Sequence, residues 1–95
     1  MTDPLMQKAV ALRYDPDEDP APVLVAKGKG YLAERIVKLA REHGIYVHPD
    51  ANLVELLMAV ELAETIPPQL YRVVAKVLAM VYRVNKKLAK DRGFM

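Results

Sequence analysis

Pro22 opens Val23-Leu24-Val25-Ala26, a continuous apolar run that Gly28 and Gly30 break just before a helical pattern. Such a run is typical of a strand covered on both faces. From Tyr31 to His43 the spacing predicts a helix. Leu32, Ile36, Leu39 and His43 recur at i, i+4, i+7 and i+11, which lines one amphipathic face. Glu34 with Lys38, and Lys38 with Glu42, make i,i+4 pairs on the wet side. Gly44 is the natural stop, and Ile45-Tyr46-Val47-His48 reads as a further short strand. Strand, glycine turn, helix and strand form a βαβ unit, so those two strands are predicted to lie parallel with a right-handed crossover. Ahead of them, Val10, Leu12 and Tyr14 alternate with Ala9, Ala11 and Arg13, the period of a half-buried strand. Asp15 to Ala21, rich in proline and acids, reads as an exposed loop.

Asn52 precedes Leu53 and Glu55 follows, a capping-box-like start for a short helix to Val60. Pro67 and Pro68 end the next loop, and Pro68 suits the first turn of a last helix from Gln69 to Ala89. On that helix Arg72, Lys76 and Arg83 form a narrow polar stripe, and apolar residues fill most of the rest. A helix on a small sheet needs about a third of its circumference apolar. The surplus implies deeper burial or a second face held for a partner. The expected fold is α/β: a small central sheet of three to four strands, with one βαβ unit, flanked by three to four helices. One domain is expected over residues 9–89, with a tail at 1–8 and a fraying end at 90–95.

The composition narrows the chemistry. The 95 residues are 53% apolar, enough for one packed core. There is no cysteine and no serine, so disulfides, thiolate metal sites and the two commonest nucleophiles are absent. His43 and His48 are too few to hold a metal, and His43 is placed to cap a helix C-terminus. Asp15, Asp17 and Asp19 copy the start of a calcium loop, but Pro20 stands where glycine is needed and Ala26 where a bidentate Glu is needed. Gly28-x-Gly30-x-x-Ala33, with Asp50 after the next strand, imitates a dinucleotide fingerprint. A tight strand-to-helix turn accounts for it, since the further strands of such a site are lacking and Lys27 and Lys29 crowd the turn. A regulatory domain binding a nucleotide there is the alternative. The basic end, Arg83, Lys86, Lys87, Lys90 and Arg92, is read as cations at a helix C-terminus. A net charge of +2 is too small to argue for nucleic acid. No apolar run approaches the roughly 20 residues a membrane span needs. With no signal peptide visible, the expected location is the cytoplasm. No enzyme activity, cofactor, metal or nucleic acid is expected.

Several segments resemble one family in order and spacing. They are Ala9-Val10-Ala11-Leu12-Arg13-Tyr14-Asp15, Ala21-Pro22-Val23-Leu24-Val25-Ala26-Lys27-Gly28-Lys29-Gly30, Arg35-Ile36, Ile66-Pro67, Gln69-Leu70-Tyr71 and Val74-Ala75-Lys76-Val77-Leu78-Ala79. They are similar to the cytoplasmic domain of the FlhB family, the flagellar and type III secretion export switch proteins, and the resemblance covers roughly Ala9 to Leu88. In that family the first strand directly follows an Asn-Pro-Thr-His tetrapeptide, and the chain is cut between the Asn and the Pro. Here Pro4, Leu5, Met6 and Gln7 hold those places, a degenerate site at which no self-cleavage is expected. Family members carry membrane spans before this domain, so the resemblance implies a stand-alone homologue of the C-terminal domain. It implies a non-enzymatic binding module of the export apparatus that mimics the cleaved domain. The implied partners are the membrane-bound stub of a full-length FlhB, other gate components and rod- or hook-type export substrates, with the membrane approached only peripherally through the gate. The family's apolar patch for export signals falls on Ala21, Pro22, Ala75 and Leu78.

Overall fold

The computed structural model describes residues 7–92, in the order β1 (Lys8–Arg13), β2 (Val23–Lys29), α1 (Tyr31–Glu42), α2 (Ala51–Leu57), a 3-10 turn (Pro68–Leu70) and α3 (Tyr71–Arg92). The class is α/β, as expected. β1 and β2 pair antiparallel, from Lys8 opposite Lys29 to Arg13 opposite Val23. A bulge interrupts the ladder: Ala11 faces Ala26 and Leu12 faces Leu24, which leaves Val25 as the extra residue, 46% exposed.

Alternation along β1 separates two faces. Val10 and Leu12 pack against a core of Leu24, Leu53, Leu57, Val60, Ile66, Leu70 and Val74. The other face is built of small residues, with Ala9 opposite Gly28. There α1 approaches so closely that a Cβ on Gly28 would stand 2.5 Å from Leu32 Cγ. Helices therefore flank the sheet on both sides, and the absence of a side chain at Gly28 sets the spacing on one of them.

Among the described residues there is no βαβ unit, and the sheet has two strands rather than three or four. Ile45 to His48 forms no strand. The chain leaves α1 through a tight closure, in which Gly44 N–H donates to Arg41 O at 3.1 Å and Ile45 N–H to Ala40 O at 2.8 Å. The first part of the outer edge of β2 is taken by a different segment. Ala63 N–H donates to Leu24 O at 2.8 Å, Leu24 N–H to Glu64 O at 3.0 Å, and Ile66 N–H to Pro22 O at 2.9 Å, with an antiparallel bridge between Val23 and Thr65. Residues 45–48 have the composition of a strand, but a strand forms only where a partner edge is within reach.

Two further corrections follow from packing. α1 is seated by Ala33, 1% exposed, while Leu32 and Leu39 on the predicted inner face are 53% and 43% exposed. Leu32 lies against Gly28 through its Cβ, Cγ and Cδ2 and is covered on that side only, while Ala33 is the residue fully enclosed. α2 is capped by Asp50, not Asn52: Leu53 N–H donates to Asp50 Oδ1 at 3.0 Å, from an extended Asp50 backbone. Pro68 opens the turn before α3 as its fixed φ suggests.

The loop between β1 and β2 is more ordered than its composition implies. Asp19 is only 9% exposed. Its carboxylate accepts from Arg13 Nη2 at 3.1 Å, Arg13 Nε at 3.3 Å and Asp15 N–H at 3.0 Å. Those bonds, the Arg13 fork foremost, hold the Asp19 carboxyl below the usual carboxylate range. A depressed acid contributes stability that is present above its unfolded pKa and lost as pH falls through the folded value. Glu55, lowered by Lys8, acts in the same window. The melting temperature should therefore drop below about pH 4. Asp19→Asn should lower it at neutral pH and flatten the acid limb, leaving the share from Glu55. Melting curves from pH 3 to 7 check this; an unchanged acid limb would contradict it.

Candidate functional site

The glycine turn has a structural use for every position of its motif. Gly30 adopts φ 60° and ψ −128°, a conformation suited to glycine. Its N–H donates to Gln7 O at 2.8 Å, and its C=O accepts the first helical bond from Glu34 N–H at 3.1 Å. Gly28 admits α1, and Ala33 seats it. Lys27 Nζ donates to Met58 O at 3.1 Å and Val60 O at 2.9 Å, closing the carbonyls at the end of α2. Asp50 serves as a helix cap. Backbone geometry and packing thus account for Gly28-x-Gly30-x-x-Ala33.

Of the four patch residues, Ala21 (4% exposed) and Pro22 are buried at the entry to β2. Ala75 is exposed on α3, and Leu78 is half-buried, packing against the core. Pro4, Leu5 and Met6 lie outside the described residues. Gln7 is half-buried and joins β1 to the glycine turn. His43 Nδ1 lies 2.8 Å from Leu39 O, the capping position its sequence suggests. Among the described residues no three His, Asp or Glu side chains gather as a metal site, and no helix is long and apolar enough to cross a membrane.

Two surfaces stand out. Beside β2, the outer edge beyond Leu24 carries no further backbone partner among the described residues. Leu32 and Leu39 on α1, and Ile45 just after it, are exposed. Separately, a groove of about 400 Å³ runs between the end of α2 and the start of α3, bordered by Leu56, Ile66, Pro67, Pro68 and Tyr71, with Glu61 and Glu64 at its margin. The sequence gives no hint of this groove, because its walls come from a loop that lacks periodicity.

A family model described as the FlhB HrpN YscU SpaS family matches residues 2–81. The chain belongs to this family. It is 37% identical over 87 residues to the protein YlqH of Bacillus subtilis, covering 92% of this chain and 94% of that protein. It is 43% identical over 81 residues to the flagellar biosynthetic protein FlhB of Aquifex aeolicus, and 44% over 85 residues to that of Helicobacter pylori. Those matches take up 84% and 88% of this chain but only 23% and 24% of the FlhB proteins. The chain thus spans about a quarter of their length. Among solved structures, the cytoplasmic domain of FlhB from Shewanella putrefaciens superposes with a TM-score of 0.78 at 31% identity, covering 90% of this chain and 69% of that one. The PscU C-terminal domain gives 0.72 at 32% identity, covering 77% and 94%. The fold is that of the export switch proteins' C-terminal domains, and the family's field is flagellar and type III protein export.

Proposed function

We propose that this chain acts in the cytoplasm as a non-enzymatic export module that stands in for the cleaved C-terminal domain of a full-length FlhB homologue, docking on its membrane-bound stub or on other gate components. The observation that carries this reading is the outer edge of β2, which beyond Leu24 has no backbone partner among the described residues. An unpaired strand edge accepts an added strand through backbone hydrogen bonds. The match to YlqH, which takes in 94% of that protein, supports the domain occurring apart from the rest of an FlhB protein. Early export substrates are the second partner, with Ala75 and Leu78 supplying the contact and the buried Ala21 and Pro22 acting through packing.

The test uses a full-length FlhB homologue truncated after the Asn of its cleavage tetrapeptide. Co-expression of this chain should restore secretion of rod and hook subunits, and the two should co-purify. Leu39→Asp with Ile45→Asp, both exposed, should abolish association while the chain still melts cooperatively. Intact mass should show the chain uncut at Pro4-Leu5-Met6-Gln7. Failure to associate, or association indifferent to the double substitution, would count against the reading.

A further inference from the structure

We propose that the groove between α2 and α3 docks a short extended peptide whose apolar side chains are flanked by lysine or arginine. Its walls offer Leu56 and Tyr71, which are 55% and 46% exposed, and Pro67 and Pro68, which present ring carbons and no backbone N–H. The groove is shallow and open to solvent, so it suits a few side chains and not a folded partner.

The margin sets the charge of the occupant. Glu61 and Glu64 are both exposed and make no ion pair among the described residues. They sit on one turn, in which Glu64 N–H donates to Glu61 O at 3.2 Å. Between them Ala63 holds φ 69°, and it is the one non-glycine residue of positive φ among the described residues. Its N–H is pinned to Leu24 O at 2.8 Å. The sheet therefore fixes the backbone that carries both carboxylates, so presenting them costs little ordering on binding. Two carboxylates beside an apolar floor repel acidic segments and attract cations flanking apolar anchors. The site shares no residue with the α1 surface, so it stands or falls separately from docking on the stub.

The probe is a fluorescein-labelled nonapeptide with Lys-Leu-Gly-Phe-Arg at its centre, followed by anisotropy. Saturable binding with Kd on the order of 0.1 mM is expected at low salt, since so small a contact must first offset the cost of association. Added salt should weaken it. Glu61→Gln with Glu64→Gln should weaken it at least about fivefold with an unchanged melting temperature, a loss of charge complementarity at a solvent-exposed rim. Tyr71→Ala should also weaken it, whereas Leu39→Asp on α1 should leave it unchanged. A peptide with Glu in place of the Lys and Arg should not bind. No saturation at millimolar peptide, equal binding of the acidic peptide, or unchanged affinity in the Gln pair would overturn the proposal. So would self-association of the chain that the peptide displaces, which would assign the groove to a second copy.

Discussion

Gly30→Val should lower the melting temperature of this chain by roughly 12–24 °C. At φ 60° and ψ −128° the backbone of Gly30 lies where a β-branched residue is a genuine outlier. Strain of this kind costs up to about 3 kcal/mol, against a total stability of only about 5–15 kcal/mol for a small domain. The position cannot relax cheaply, because its N–H and C=O tie β1 to the first turn of α1. Gly28→Ala should cost about 1–3 kcal/mol by a different route, overpacking. Its new Cβ would meet Leu32 Cγ at 2.5 Å, Cδ2 at 2.7 Å and Cβ at 3.0 Å, and the last of these is fixed to the helix backbone. Melting followed by circular dichroism reads both. Wild-type melting of both variants, with loss of a saturable nucleotide isotherm, would mean that the glycines serve a ligand instead.

What was legible in the sequence was local. Alternation revealed β1, the apolar run revealed β2, and Pro68 marked the entry to α3. The family pieces, from Ala9-Val10-Ala11 to Val77-Leu78-Ala79, revealed the fold class and the export field. What could not be read depended on partners distant in the chain. Ile45 to His48 looked like a strand, yet strand formation depends on an available edge, and Ala63 to Ile66 holds the start of β2. Leu32 and Leu39 lie on the apolar stripe of α1, yet Leu32 is covered only where it meets Gly28, and Ala33 is the residue that the packing encloses. Asn52 and Asp50 are both competent caps, and the extended backbone at Asp50 decided between them. Lys27 looked like an obstacle in a turn until the carbonyls of Met58 and Val60 supplied its role. Asp19 looked solvated until Arg13 closed on it. For the site, the sequence left Ala75 between burial and exposure and the structure exposes it, whereas the burial of Ala21 and Pro22 accompanies the bond from Ile66 N–H to Pro22 O, a contact no local pattern encodes.

Leu78→Asp should cost about 2 kcal/mol and lower the melting temperature by roughly 8–16 °C. Leu78 packs against the Leu24–Val74 core yet is half-buried. A carboxylate there loses apolar contact but can turn toward water, so the cost stays below that of a fully buried charge. Ala75, one turn earlier and exposed, should tolerate Asp within about 0.5 kcal/mol. The pair therefore separates binding from folding. If an export signal buries itself on this face of α3, Ala75→Asp should remove binding of a hook-protein N-terminal peptide while leaving the melt unchanged. Loss of binding in Leu78→Asp alone would reflect a weakened fold. Unchanged binding in Ala75→Asp would move the contact off α3, and the patch implied by the family resemblance would not operate in this chain.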